Sequence, residues 1–411
     1  MQSHCRSCGD PLQTVLVDLG LSPISNAFIR PERASQSEKF YPLKTYVCNA
    51  CWLVQLEDYE APDTHFHGNY MYFSSFSDSW LAHARAFVDN AVQRFALGPR
   101  SRVVEVASND GYLLQYLVER GIPCLGVDPA MNCAVTAWHE RRVQTEIAFF
   151  GAETARRLVL QGGAADLIVA NNVLAHVPNI NDFVAGFKIL LKPDGVATFE
   201  FPHILEMMRN NQFDTIYHEH YSYLSYIALR PLFARHGLRI VDIDRLQTHG
   251  GSLRLYVRHS EAQEHASAAA NLLEGEERDA GLDNAEIYRT FGANVRALKR
   301  SLLTLLIGLI DDGKRVAGYG APAKGNTLLN YCGIGTDILD FTADRNNYKQ
   351  GLLLPGTHIP IRPPEAIFSE RPDYVLILPW NLRDEIMAQL VGIRDWGGKF
   401  IVPIPHPTIL D

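Results

Sequence analysis

Seven consecutive residues, Tyr217-His218-Glu219-His220-Tyr221-Ser222-Tyr223, each carry a side chain that can donate, accept or titrate. Apart from the aromatic faces, the run offers almost nothing to a hydrophobic core. Two imidazoles, a carboxylate and three phenols side by side can move protons near neutral pH and hold an oxyanion. Three readings are open. His218 and His220, at i and i+2, could ligate a metal, although a facial set needs a further ligand that the sequence does not locate. The run could instead be a structural cluster that caps helices and satisfies buried backbone. Or it is a proton-transfer site, with a histidine base and phenol or imidazole donors for an enolate. In extended backbone Tyr217, Glu219 and Tyr221 would oppose His218 and His220; a helix or turn would mix these sets.

A second constellation lies at Val103-Val104-Glu105-Val106-Ala107-Ser108-Asn109-Asp110-Gly111, which puts an acid at a strand end and a small-residue turn before a helix. In an open α/β sheet, ligands bind at the carboxyl ends of the strands near the topological switch. Asp128, at the end of the next strand, can accept both ribose hydroxyls of an adenosine. A dinucleotide-binding domain would want a Gly-x-Gly-x-x-Gly turn cradling a pyrophosphate. This turn has one glycine and two extra polar groups, which favours S-adenosylmethionine, a ligand with no phosphate. Glu105, Ala107, Ser108, Asn109, Asp110 and Asp128 are the expected cofactor contacts, with Asn171 and Asn172 at the end of the third strand. These contacts are those that the resemblance of the pattern to the class I methyltransferase fold implies, and in that fold the place after the third strand end, here His176, flanks the methyl donor.

Cys5, Cys8, Cys48 and Cys51 form two Cys-x-x-Cys pairs, whereas Cys124, Cys133 and Cys332 stand alone. Cytosolic thiols are kept reduced, so paired knuckles indicate tetrahedral zinc over disulfides. Four cysteines leave no open coordination position, and the expected role is in folding.

The elements that must position these groups follow from the hydrophobic pattern. A chain of 411 residues exceeds one ordinary domain, and its 47% hydrophobic and 20% charged composition is that of a globular protein with real cores. Residues 1 to about 75 carry short apolar runs between turn residues, as in a small zinc-stabilised β-rich module. Helical spacing of Trp80, Ala84, Phe87, Val88, Ala91 and Phe95 predicts a helix over 77–96. Strands are expected at 102–106, 124–128, 166–170 and 195–201, with a helix from Tyr112 and another near 181–191. This alternation predicts a parallel doubly wound sheet, which Leu253–Val257 closes. One or two helices over 261–312, breaking at Gly281, lead to a second alternating unit with strands at 315–320, 338–342, 374–378 and 400–403. In that unit Gly318-Tyr319-Gly320-Ala321-Pro322-Ala323-Lys324-Gly325 is a βα turn whose backbone amides and Lys324 can contact an anion.

The net charge of −8 gives no pull toward nucleic acid or anionic lipid. No run approaches the roughly 18 apolar residues of a membrane span, and no apolar signal segment opens the chain, so a cytoplasmic location is expected. A zinc-ribbon RNA methyltransferase would need a basic face; between Cys5 and Cys51, Arg6, Arg30, Arg33, Lys39 and Lys44 are offset by Asp10, Asp18, Glu32 and Glu38. The other alternative is an O- or N-methyltransferase of a small molecule.

The two knuckles, Tyr70-Met71-Tyr72-Phe73-Ser74-Ser75, Ser108-Asn109-Asp110-Gly111, Tyr217-His218-Glu219-His220, His249-Gly250-Gly251-Ser252-Leu253-Arg254 and the Gly318–Gly325 turn occur in that order. In this combination, over essentially the whole chain, the sequence resembles the nucleotide-sugar C-methyltransferase family. The resemblance implies a zinc-binding domain over 1–75, a central class I methyltransferase (Rossmann-like) domain over 76–260, and a helical connector with a C-terminal Rossmann-like nucleotide-sugar-binding domain over 261–411. It implies an S-adenosylmethionine-dependent enzyme that methylates C3 of a nucleoside-diphosphate-4-keto-deoxysugar, acting as a monomer or homodimer. It places catalytic roles on Tyr217, Glu219, His220, His176 and Tyr72. His220 is then the base, oriented by Glu219, with Tyr217 as second base or enolate donor. Tyr70, His249, Gly250, Gly320 and Lys324 become substrate contacts.

Overall fold

The computed structural model describes residues 3–59, 70 and 73–411. The first three strands are β1 (Thr14–Ser22), β2 (Tyr41–Val47) and β3 (Val54–Leu56), antiparallel in sequence order. In β2 every second side chain from Leu43 to Val47 is buried, the period-two signature of a sheet with one covered face. That cover is the long helix Ala285–Asp311, where Gly292 lies against the Leu16 carbonyl.

Next in the chain come β4 (Val103–Val106), β5 (Cys124–Val127), β6 (Thr145–Glu146), β7 (Ala165–Asn171), β8 (Leu191–Pro202), β9 (Ser222–Tyr223), β10 (Leu238–Leu246) and β11 (Ser252–His259). Seven of these form one sheet in the order β10-β11-β8-β7-β4-β5-β6. Strands β8 to β6 run parallel, and β11 is antiparallel to both its neighbours. The order reverses between β4 and β7, so the switch point lies where Glu105 and Asn171 end their strands. Buried continuous runs such as Val103–Val106 and Leu167–Asn171 are what helices on both faces require.

A third sheet holds β12 (Val316–Tyr319), β13 (Thr342–Ala343), β14 (Ile361–Arg362), β15 (Tyr374–Ile377), β16 (Lys399–Val402) and β17 (Thr408–Leu410), in the order β14-β13-β12-β15-β16-β17. It is parallel except for β17.

The strand β9 joins neither of these large sheets. It pairs antiparallel with β3, Val54 opposite Tyr223 and Gln55 opposite Ser222, and so completes a four-stranded sheet with the N-terminal module. The module also shares its interior in two directions. Leu16, Leu43 and Val54 pack in one core with the C-terminal sheet, and Cys5, Leu12, Cys48 and Leu53 pack in another with β7 and β8.

Three expectations are corrected. The strand at 253–257 does not close its sheet, because Leu238–Leu246 adds an outer strand beyond it. Of the strand expected at 338–342 only its last residue is extended, in Thr342–Ala343, while the Gly335 carbonyl accepts the Ile338 and Leu339 amides in a turn. The helix expected from Tyr112 is formed over Gln115–Val118. The break at Gly281 is present: helices Ala268–Asp279 and Ala285–Asp311 flank it, and its φ is +84°.

Candidate active site

The run that opens at Tyr217 is neither strand nor helix at its start. The His220 amide donates to the Tyr217 carbonyl at 2.9 Å, closing a four-residue turn that sets Tyr217 and His220 on one side. Their ring centroids lie 3.9 Å apart, and the Tyr217 hydroxyl is 2.7 Å from His220 Nε2. His220 Nδ1 lies 2.8 Å from the Thr215 carbonyl, which can only accept, so Nδ1 carries the proton. Nε2 is therefore the lone pair, and the Tyr217 hydroxyl donates to it. His176, in the turn Leu174–His176 after β7, meets the His220 ring edge-on at 4.6 Å. Burial, reinforced by His176, holds the His220 imidazole well below its ordinary pKa. It is neutral at neutral pH.

Glu219 does not orient His220. The turn sends its carboxylate the other way, where it accepts from Asn26 Nδ2 at 2.7 Å and feels the Lys349 ammonium. Burial pushes its pKa up to about 7. His218 Nε2 lies 3.2 Å from the Pro42 carbonyl, so its ring faces the N-terminal module. Tyr221 and Tyr223 are buried, Tyr223 within a hydrophobic core, so the run gives more to the interior than its composition implies.

Lys324, at the start of the helix Ala323–Cys332, reaches the same loop from the C-terminal sheet. Its ammonium bonds to Asn381 Oδ1 and stands 4.3 Å from the Trp380 ring centroid. Trp380 Nε1 donates to Asp214 Oδ2 at 2.7 Å, three residues before Tyr217. Burial lowers Lys324 to about 8 and raises Asp214 to about 6, each against the pull of the other. His249 has a left-handed φ of +54° and accepts from Asn172 Nδ2 at 3.1 Å. Burial, with Lys324 nearby, lowers it to about 4. Gly250 must be glycine: its φ is +88° and a Cβ would come within 2.7 Å of Gln212 Nε2 and the Trp380 ring. Gly320 is pressed against Pro379 in the same way, at φ +90°.

At the switch point Glu105, Asp110 and Asp128 stand together, each raised by burial. Asp128 reaches about 6, although it accepts the Asn109 and Ala130 amides at 2.8 Å each. Neither Glu105 oxygen has a partner at ordinary hydrogen-bond geometry among the described residues, although the Tyr112 hydroxyl is near enough to draw its pKa down. Asn171 Oδ1 and Ser108 Oγ are likewise buried without a bonded partner among those residues. Ala107 and Asn109 take positive φ in the turn. The Asn109 and Asp110 side chains are engaged locally: Asn109 Oδ1 accepts the Ser74 amide, and Asp110 accepts from Ser75 and pairs with Arg141. The Tyr70 amide donates to Asn132 Oδ1 and its carbonyl accepts from Asn132 Nδ2, close after Asp128. Tyr72 lies outside the described residues.

The four knuckle sulfurs lie within 4.8 Å of one another. Cys5 and Cys51 are 3.6 Å apart, Cys8 and Cys48 3.4 Å. Tetrahedral bonds of about 2.3 Å put sulfurs roughly 3.8 Å apart.

Family models match the chain in three blocks: a zinc binding domain over residues 5–66, a methyltransferase domain over 80–243 and a C-methyltransferase C-terminal domain over 247–405. The chain is 38% identical over 407 residues to C-methyltransferase NovU of Streptomyces niveus, spanning 99% of this chain and 96% of that one. The chain belongs to the C-methyltransferase family. The methyltransferase is also 28% identical over 138 residues to a ubiquinone biosynthesis O-methyltransferase of Chelativorans sp. (strain BNC1), which covers 32% of this chain and 53% of that protein. The solved magnesium protoporphyrin IX methyltransferase of Synechocystis PCC 6803, with S-adenosylmethionine bound, is 17% identical and covers 44% of this chain and 82% of that one, at a TM-score of 0.32.

The family's cofactor is S-adenosylmethionine, and the switch point fits it. Buried acids with Arg141 as the opposing cation among the described residues suit a sulfonium, an amino group and ribose hydroxyls, and would repel a pyrophosphate. The cysteine cluster likewise fits zinc: the Cys48 and Cys5 sulfurs push the Cys51 thiol far up, so several thiolates can coexist there only around a cation. No helix among the described residues is long and apolar enough to cross a membrane.

Several residues of the site escaped the sequence reading. Glu200, at the end of β8, is wholly buried and bonds His83 Nε2 at 2.9 Å with both oxygens, while Arg254 pairs with it from β11. Burial would raise its carboxyl, but His83 and Arg254 outweigh burial and hold it below the usual range. Trp80 stacks on His83 at 5.0 Å and packs on His249 at 5.3 Å. Asp214, Trp380, Asn381 and Lys349 were also missed. The available signals were Glu200 and Arg254, charges within the mostly apolar runs 196–201 and 253–257.

Proposed function

We propose that the methyltransferase acts on a nucleoside-diphosphate-4-keto-deoxysugar and alkylates C3 through an enolate. The observation that carries this reading is the fixed tautomer of His220, a neutral buried imidazole whose Nε2 lone pair is aimed at the Tyr217 hydroxyl. Carbon becomes a nucleophile only when a proton alpha to a ketone is removed. The Tyr217 oxygen takes that proton as its own passes to His220 Nε2, and the electron pair of the C–H bond becomes the enolate. His176 faces the same ring and donates to the developing oxyanion. Lys324 and the Gly320 turn hold the diphosphate from the C-terminal sheet, while His249 and Gly250 close the site from β11. Tyr70 is a further substrate contact, and Tyr72 keeps the catalytic role that the family resemblance implies. S-adenosylmethionine, when bound, supplies a methyl group on a sulfonium for in-line attack. Glu105, Ala107, Ser108 and Asp128 hold it, with Asn109 and Asp110 shaping the loop and Asn171 and Asn172 beneath the transferred group.

This assigns zinc binding to residues 1–75, methyl transfer to 76–260 and sugar-nucleotide binding to 261–411, in a cytoplasmic monomer or homodimer. The test uses thymidine-, guanosine- and cytidine-diphosphate 4-keto-deoxysugars in deuterated water. With one of them, His220→Ala should abolish both methyl transfer and alpha-proton exchange while S-adenosylmethionine still binds. Tyr217→Phe, which leaves Nε2 in place but removes the oxygen that takes the proton, should lose about 10²- to 10⁴-fold in turnover. Unchanged turnover in His220→Ala sinks the assignment, and methyl transfer by the native enzyme without exchange points to an oxygen or nitrogen acceptor.

A further inference from the structure

The first cysteine knuckle carries an arginine that leaves its own module. Arg6 lies between Cys5 and Cys8, and its side chain is only 9% exposed. The guanidinium donates to the Pro178 carbonyl at 2.9 Å and to the Leu56 carbonyl, pairs with Asp58 at 2.7 Å, and stands 5.3 Å over the Tyr221 ring. Pro178 is two residues after His176, and Tyr221 directly follows His220. One side chain therefore touches the flanks of both histidines that meet at 4.6 Å.

The other end of Arg6 is fixed by the knuckle. Gln55 Oε1 accepts the Arg6 amide at 2.9 Å, and Gln55 Nε2 donates to Cys5 Sγ at 3.2 Å. Gln55 also lies opposite Ser222 in the pairing of β3 with β9. Asn181, the second residue of the helix Ile180–Leu190, donates to the Arg6 and Ser7 carbonyls at 2.8 and 3.0 Å. A knuckle that served only its own module would have no need of these contacts. A planar guanidinium can hold two carbonyls and an aromatic face together, which an ammonium cannot.

We propose that Arg6 is a positioning residue that sets the approach of His176 to His220, and that zinc occupancy of the knuckle reaches the Tyr217–His220 turn through it. Its consequence for rate rests on the proton-transfer reading of that turn; the positional coupling does not.

The experiment compares the native protein with Arg6→Gln, both bound to S-adenosylhomocysteine, by zinc content and by histidine-selective 15N NMR titration from pH 5.5 to 8, a range set around the ordinary histidine pKa of about 6.5. The groups facing His220 are Tyr217, His176, His249, Lys324, Tyr223 and the Thr215 carbonyl. Native His220 should stay neutral throughout. In Arg6→Gln, with zinc and S-adenosylhomocysteine still bound, its resonances should shift and begin to titrate toward about 6.5. Arg6→Lys should fall between the two. If Arg6→Gln loses zinc or fails to fold, Tyr221→Leu removes the aromatic seat of the guanidinium and is read in the same way. Titration curves that superimpose on the native ones in the zinc-bound variant overturn the proposal. With a sugar substrate in hand, kcat should fall on the order of 10- to 100-fold at unchanged KM for S-adenosylmethionine. Altered titrations with no sugar turned over even by the native protein would defeat the functional reading and leave the coupling intact.

Discussion

One carbonyl oxygen decides much at the residue scale. Thr215 fixes the proton of His220 on Nδ1, and so defines which nitrogen is the base and which way the Tyr217 hydroxyl points. Its neighbour Glu219 has a different role, because the turn separates two side chains that are adjacent in sequence. Glu219 gives a stability prediction whose sign follows from its raised pKa. The folded state binds the proton more tightly than the unfolded chain, whose carboxyl titrates near 4.5. That stabilisation is full below about 4.5 and is lost as pH rises through about 7. Glu219→Gln stays neutral throughout. Its Tm should match the native one near pH 4.5 and exceed it by a growing margin toward pH 8. A difference that is flat with pH would show that burial does not oppose this carboxylate.

Turns do the positioning at the element scale. Gly250 takes a left-handed φ where a Cβ would strike the Trp380 ring, so Gly250→Ala should destabilise by about 1–3 kcal/mol and move His249, which urea unfolding and S-adenosylhomocysteine binding can read. Gly98→Ala, with nothing within 4 Å, is the control. The same contrast separates what sequence could and could not tell. The alternating strands and helices of the two doubly wound sheets were legible because each buried run carries its own hydrophobic period. The cysteine knuckles and the Glu105 turn were legible because their chemistry is local. The strand β9 was not: two residues have no period, and their partners Val54 and Gln55 lie far back in the chain. Glu200, His83 and Arg254 come from three elements, so their buried cluster exists only after folding. The Glu219–His220 pairing failed because backbone geometry, which adjacency does not encode, chose a turn.

At the scale of the whole molecule, the N-terminal module is wedged against both larger sheets. The Ile29 and Leu353 main chains exchange hydrogen bonds, and Glu38 holds His358 and the Gly356 amide. On the other side Arg235 donates to the Ser7 carbonyl at 2.6 Å. The Tyr217–His220 turn lies where the three parts meet, with Asn26, His176 and Lys324 each supplied by a different one. The pairing of β3 with β9 has a consequence for the order in which the protein is made. The ribosome delivers β3 early and β9 far later, and in the interval β3 presents an unsatisfied edge of main-chain donors and acceptors. The nascent protein thus carries a sticky border until the segment bearing His220 arrives to seal it. A zinc-loaded fragment of residues 1–75 should self-associate on size exclusion, and a peptide of residues 217–226 added in trans should reduce that association. A fragment that is monomeric without the peptide would mean that the edge is protected in some other way, and that the late arrival of β9 carries no hazard for assembly.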